Sequence, residues 1–266
     1  MDSSSPRLRI ILAGAGRVAA HLAAALHEQG HALVLVVNRT EERAGALAAR
    51  SGASFSGLPV ARPLPPADVV IYAVSDSALE EMITAVPPGE MLALHTAGSI
   101  PVEIFRGKAE NYGVLYPLQT FTEDRETDFR QVPLCIEANT PGNEEKLRAL
   151  ALTLSRRVIR VSSQQRLTLH LAAVWVNNFV NHLYAVAEDL LQEEELSFDL
   201  LRPLIEETAS KATALGPRKA QTGPAVRNDE NVIKKHLELL SCSPELQSLY
   251  RLLSNSIRER MLPEKK

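Results

Sequence analysis

The stretch Leu8-Arg9-Ile10-Ile11-Leu12-Ala13-Gly14-Ala15-Gly16-Arg17-Val18-Ala19 decides the fold. A compact apolar run, residues 8–13, enters a glycine turn, and a helical stretch over residues 17–29 leaves it. An unbroken apolar run marks a strand covered on both faces, as in a parallel sheet. Gly14 to Ala19 fits G-x-G-x-x-A, the turn at which a first strand hands over to a helix in a dinucleotide-binding unit. The first glycine allows the tight turn, and the second removes a side chain where a pyrophosphate must approach the backbone. Ala19 is small enough for helix and strand to pack closely. The helix then offers free N–H groups and a partial positive charge to the phosphates.

Outward from this turn the first half alternates strand-like and helix-like segments. Gly30 ends the first helix, and residues 33–37, rich in Val and Leu, supply a second strand. A helix over 43–50, a short strand at Val60 and a strand over 68–74 follow. Next come a strand over 91–95, a helix over 101–108 and a strand over 114–116. A β-like segment over 134–137, a helix over 143–154 and a strand over 157–161 complete the half. This repetition predicts an α/β fold, a doubly wound, mostly parallel Rossmann sheet over residues 1–162.

After residue 162 no strand is expected, so residues 163–266 read as an all-helical C-terminal domain. Residues 164–191 form one long helix, roughly 40 Å at ~1.5 Å per residue. A second covers 198–215 and stops at Gly216-Pro217. A third covers 229–240 with Asp229 as N-cap, and Ser243-Pro244-Glu245 opens a fourth.

The chain of 266 residues is 45% hydrophobic and 23% charged, an ordinary globular composition. A net charge of −3 offers no basic field for nucleic acid or an anionic membrane. Cys135 and Cys242 match no metal or redox spacing and read as buried thiols of a reducing compartment. The polar stretch Met1 to Pro6 lacks the pattern of a secretory signal, and no apolar run is long enough to span a bilayer. A cytoplasmic location is expected, with no metal site.

The nucleotide-site candidates are Gly14, Ala15, Gly16, Arg17 and Val18 at the first turn, and Asn38, Arg39 and Thr40 at the end of the second strand. Enzymes that use NAD usually carry an acid at that second position, to bond the ribose 2′-hydroxyl. Here no acid appears before Glu41, while Arg39 can pair with a 2′-phosphate and Asn38 and Thr40 can add neutral donors. NADP(H) is therefore the expected cofactor. Val74 and Ser75, His95 and Thr96, and the segment Tyr116-Pro117-Leu118-Gln119 sit where strands end, and ligands of open α/β sheets bind beyond those ends. His95 or Gln119 is expected to line the nicotinamide end. Asp76 reads as the cap of a helix over 77–84.

The long helix carries His170, Asn177, Asn178, Asn181 and His182 among apolar residues. Spacings of seven and four put 170, 177 and 181 on one face, where such a stripe serves either a ligand or a helix–helix contact. His170 and Asn178 are the substrate candidates. The polar loop 216–229 could close over a carboxylate or phosphate with Lys219 and Thr222 inward, or simply connect two helices.

The G-A-G-R-V-A turn, the A-V-S-D strand end, H-T-A-G-S, Y-P-L-Q-T-F and Q-T-G-P-A-V-R-N-D occur in order. Together they resemble the Rossmann-like NADP oxidoreductases whose C-terminal half is a domain of unknown function. The group is similar in architecture to pyrroline-5-carboxylate reductase, ketopantoate reductase and the 6-phosphogluconate dehydrogenase superfamily. The resemblance implies NADP(H) between a Rossmann domain and a helical domain that often dimerises, hence a homodimer through the helical domain. In ketopantoate reductase and the hydroxyacid dehydrogenases a Lys one turn before an Asn is catalytic. The matching position here is Val174 or Ala173, neither of which can transfer a proton. His170, a further turn upstream, can take that role because an ordinary imidazole titrates near neutrality.

The expected activity is hydride transfer between NADPH and a C=O or C=N of a small metabolite, with His170, Asn178 and Lys219 as catalytic candidates. A non-catalytic NADP(H) sensor or interaction protein on the same fold is the alternative. Binding of some other nucleotide is a third, against which Arg39 argues.

Overall fold

The computed structural model describes residues 7–123 and 125–261; the tail Met1 to Pro6 lies outside the described residues. Eight strands form one sheet: β1 (Arg9–Ala13), β2 (Ala32–Val37), β3 (Ser54–Ser56), β4 (Val69–Tyr72), β5 (Leu92–His95), β6 (Tyr112–Pro117), β7 (Leu134–Ala138) and β8 (Val158–Arg160). Their order is β3-β2-β1-β4-β5-β6-β7-β8. All neighbours pair parallel except β6 and β7, which are antiparallel.

Helices α1 (Arg17–Glu28), α2 (Glu41–Ala48), α3 (Leu79–Ala85) and α4 (Pro141–Leu154) connect these strands. The alternation along β1 shows why its apolar run is continuous. Ile10 and Leu12 join a core with Leu22 and Leu26 of α1, Leu47 of α2 and Leu147 of α4. Ile11 and Ala13 join a second core with Tyr72, Met82 and Phe105. Both faces are thus dry, and each buried aliphatic side chain contributes about 1.5–3 kcal/mol.

The third strand is Ser54–Ser56 rather than Val60. Val60 follows Pro59, which has no N–H to give to a ladder. The helix expected over 101–108 is a single 3₁₀ turn, Val102–Phe105. Cys135 is buried as expected, but Cys242 is exposed, in a 3₁₀ turn. None of the described helices is long and apolar enough to cross a membrane.

Beyond the sheet, one helical path runs through α5 (Ser163–Ala173), a π-helical segment Val174–Phe179 and α6 (Val180–Glu193). Ser162 and Gln165 close a capping box at its start, each satisfying the other's backbone N–H. Two compact units divide at His182 and Leu183. The expected boundary at 162 falls twenty residues earlier. Residues 163–182 group with the sheet because Arg166 is buried and Leu169 packs against Val102, Val114, Tyr116 and Cys135.

The second unit holds α7 (Arg202–Leu215), α8 (Pro217–Ala220), α9 (Glu230–Leu239) and α10 (Pro244–Met261). Gly216, with φ +83°, ends α7, and Asp229 caps α9 by accepting from Val232 N–H at 3.2 Å. His236 to Tyr250 at 2.8 Å and an Arg258–Glu230 ion pair tie α9 to α10.

Candidate active site

The sheet order reverses at β1, whose neighbours are β2 on one side and β4 on the other. A crevice opens beyond the carboxyl ends at such a switch point, so the turns after β1 and β4 flank the expected ligand position. At the first of them Gly14 has φ +125°, and a Cβ there would lie 2.2 Å from the Ala73 carbonyl oxygen. Only glycine fits. Its N–H donates to the Val37 carbonyl at 2.7 Å, fixing the turn to β2. Gly16 caps α1, and nothing lies within 4 Å of where its side chain would begin. Backbone is therefore open to a close approach, beside a helix start with no acid in its first turn. Ala15 and Val18 are half-buried, Arg17 is exposed, and Ala19 is fully buried against the strand.

After β2, Arg39 is exposed and makes no side-chain hydrogen bond or ion pair among the described residues. Asn38 Nδ2 donates to both the carbonyl and Oγ1 of Thr40, each at 3.2 Å. The Asn38 amide thus shapes the turn that presents Arg39, while the Thr40 hydroxyl, an acceptor here, keeps its own hydrogen to donate.

At the end of β4, Val74 is half-buried and Ser75 is exposed, 3.3 Å from the Ser77 hydroxyl. Asp76 does not cap a helix over 77–84. It opens a 3₁₀ turn, Asp76–Ala78, ahead of α3, and its Oδ2 accepts from the Ser99 hydroxyl. That bond ties the turn after β4 to the turn after β5.

His95 departs from expectation most. It is fully buried, its Nδ1 accepts from Ala97 N–H at 3.2 Å, and its ring packs on Phe105 at 5.7 Å. Burial, aided by the Arg166 charge, pushes its pKa down to about 3. The Pro101 carbonyl opposes this weakly, and Nε2 has no hydrogen-bond partner of ordinary geometry. His95 is a neutral core residue that presents nothing to the crevice, and Thr96 beside it is also buried. Gln119 is exposed, with its Oε1 taken by Thr120 N–H at 2.8 Å.

His170 meets the sheet at the turn after β5. A Cβ on Gly98 would come within 2.6 Å of His170 Nδ1 and 3.0 Å of Tyr116 Cζ, so ring and turn touch without a side chain between them. The Tyr116 hydroxyl lies 3.1 Å from the same Nδ1. Burial pushes the Tyr116 pKa up to about 12, so its hydroxyl keeps its proton. His170 Nε2 bonds to nothing among the described residues and is open to solvent.

What holds His170 there is Arg166, one helical turn earlier and 1% exposed. Its guanidinium pairs with Glu137 of β7, and donates to the Ile100 carbonyl at 2.6 Å and Ser163 Oγ at 3.2 Å. Glu137 also accepts from the N–H and hydroxyl of Ser163, at 2.9 and 2.7 Å. One buried cation thus fastens the helix of His170 to the sheet and to the loop carrying Gly98. The sequence reading missed Arg166 and the role of Tyr116. The only signal for either was a lone cation four residues before His170 and a tyrosine at a strand end.

Asn177 and Asn178 lie in the π segment, exposed, with Asn177 Nδ2 3.4 Å from Asn178 Oδ1. The wider π turn breaks the spacing by which 170, 177 and 181 would share a face. Lys219 is exposed on α8, in the second unit. Among the described residues no three His, Cys, Asp or Glu side chains are placed to hold a metal. An open groove of about 1490 Å³ lies between α1, α2, Glu123 and residues 125–130, and touches the first turn only at Ala15, Gly16 and Arg17. Its lining includes neither His170, Tyr116 nor Gly98.

Two family models match the chain, and the second runs across the boundary between the compact units. Residues 3–86 match the model of the shikimate / quinate 5-dehydrogenase family, and residues 132–257 match DUF2520, a domain of unknown function. No curated protein matches the chain. Among solved structures, a "putative NADP oxidoreductase" from Bacteroides fragilis is 46% identical, with 95% of this chain and 98% of that one covered at a TM-score of 0.89. An imine reductase from Streptomyces aurantiacus is 16% identical, covering 94% and 93% at a TM-score of 0.66. A 1-pyrroline-5-carboxylate reductase from Streptococcus pyogenes is 13% identical, covering 95% and 99% at 0.61. The last two show likeness of fold alone. Near-complete coverage at 46% identity goes further, and the chain belongs to the family of that Bacteroides fragilis protein, Rossmann-fold NADP oxidoreductases continued by the helical DUF2520 domain.

Proposed function

We propose that this protein binds NADP(H) and reduces a C=O or C=N group of a small metabolite. The observation that carries the reading is His170, held against Gly98 beyond the sheet's carboxyl ends with Nε2 open to solvent. Support for the cofactor comes from the open backbone at Gly16, the acid-free start of α1, and the unpaired Arg39 where a 2′-phosphate would lie. When bound, NADPH supplies the hydride. The chain's own tasks are to orient the acceptor carbon and to meet the charge that develops on the acceptor atom. His170 Nε2 serves the second task, with Asn178 of the same unit as a further substrate contact.

Fluorescence titration with NADPH and NADH tests the reading. Tight NADPH binding, weak NADH binding and loss of that preference in Arg39→Ala are expected, the last by about ten- to a hundredfold for one charge-assisted phosphate contact. Binding of neither nucleotide would overturn it. A sensor of the same cofactor would bind equally well in His170→Ala and show no NADPH consumption in either form. The reductase loses its consumption with that substitution.

A homodimer through the helical domain belongs to the same proposal. Leu200 and Leu204, 65% and 62% exposed, supply an apolar face suited to a second copy. Sedimentation equilibrium should give twice the 29.1 kDa chain mass, and a monomer at micromolar concentration would dismiss that part.

A further inference from the structure

His170 has two ring nitrogens, and the geometry treats them differently. Nδ1 faces the turn, in contact with Gly98 and 3.1 Å from the Tyr116 hydroxyl. Nε2 faces solvent. We propose that Tyr116 is a positioning residue that fixes His170 as the neutral Nε2–H tautomer, so that it meets the substrate as an uncharged hydrogen-bond donor. This rests on the reductase reading above, and adds which atom and which protonation form do the work.

The argument is one of counting protons. Tyr116 is 8% exposed, and its hydroxyl has one proton and one described partner, His170 Nδ1. If Nδ1 carried a hydrogen, two donors would face each other across 3.1 Å unless the phenol turned its proton away from its only described acceptor. A buried polar hydrogen without an acceptor costs about 1–3 kcal/mol. Tyr116 donating to Nδ1 avoids that cost and leaves the ring's own hydrogen on Nε2. Asp76, the nearby carboxylate that acts on Tyr116 through its charge, makes no hydrogen bond to the phenol among the described residues.

A neutral donor polarises a carbonyl without placing a full charge beside it. With a carbonyl substrate the proton can also follow. The Nε2–H bond breaks and the substrate O–H bond forms, while the Tyr116 proton crosses to Nδ1, breaking the phenolic O–H and making Nδ1–H. The ring stays neutral throughout. An alkoxide is a stronger base than the phenolate left behind, which takes its proton back from Nδ1 as Nε2, the nitrogen open to solvent, is reprotonated.

Nitrogen-resolved NMR of the histidine rings in the full chain reads the tautomer directly, with His170 assigned through its disappearance in His170→Gln. In the unsubstituted protein Nδ1 should resonate as a pyridine-type and Nε2 as a pyrrole-type nitrogen. In Tyr116→Phe, which keeps the ring and removes only the hydroxyl, the two signals should move toward each other as the tautomers mix. A pyrrole-type Nδ1 in the unsubstituted protein would overturn the proposal. So would a pattern that Tyr116→Phe leaves unchanged. Turnover of NADPH with a carbonyl acceptor should also fall by about ten- to a hundredfold in Tyr116→Phe, with NADPH affinity unaltered. Failure of NADPH to bind would sink the reductase reading while leaving the tautomer result standing, so the two failures are distinct.

Discussion

Gly98→Ala is expected to lower kcat by about a hundredfold with little change in NADPH affinity, because displacement of a reacting group by ~1 Å costs about that much. The added carbon would sit 2.6 Å from His170 Nδ1, 2.8 Å from its Cγ and 3.0 Å from Tyr116 Cζ. All three belong to rings, which cannot fold away as the end of a long side chain can. His170 must lift or turn, and the 3.1 Å bond to Tyr116 is lost with it. Fold stability should suffer less than catalysis, since the ring's other edge already faces solvent. The proposed NADPH contacts, Gly14–Gly16 and Arg39, lie on other turns. A kcat close to that of the parent, with thermal stability also unchanged, would show that the ring yields without consequence and that His170 is not the working group. A fall in affinity with kcat intact would instead place Gly98 under the cofactor.

The contrast between what was readable in the sequence and what was not follows from the range of the interactions involved. The Gly14 turn was legible because local sterics dictate it: a positive φ and a carbonyl at 2.2 Å exclude every side chain, whatever the rest of the fold does. β1 was legible because burial on both faces leaves no room for a polar residue. Arg39 stands out in the sequence through an absence, the missing acid at a fixed distance from the turn, and its part in cofactor binding belongs to the proposal.

The failures turn on features that the local pattern does not set. His95 looked like a lining residue at a strand end, yet its ring turns inward to Phe105, and nothing in the local sequence sets that direction. Asp76 carried the pattern of a helix cap, but Ser99, twenty-three residues away, claims its carboxylate. The stripe of 170, 177 and 181 assumed a uniform helix, and a six-residue π segment broke the period. Arg166 drew no notice because a cation on an expected amphipathic helix is ordinarily solvated; its partners come from β7 and the loop after β5.

Arg166→Met carries the second large expectation, a loss of about 3 kcal/mol of stability, the lower end of the cost of stripping one partner from a buried pair. The lower end applies because Glu137 is 18% exposed and keeps its two bonds from Ser163, so the carboxylate is not wholly stranded. Methionine retains most of the volume, which separates the charge from the packing. Urea unfolding followed on the first unit measures the loss. Adding Glu137→Gln should then cost much less than it does alone, since the partner it would strand is gone. Equal cost in both backgrounds would mean that the pair contributes nothing beyond its separate contacts. Arg166 also holds the Ile100 carbonyl, two residues past Gly98, and stands one turn before His170. Turnover should therefore fall in Arg166→Met even at temperatures where the protein remains folded. Full kcat in a folded but destabilised variant would reduce Arg166 to a staple of the fold, and would leave Gly98 and Tyr116 sufficient to hold the imidazole in place.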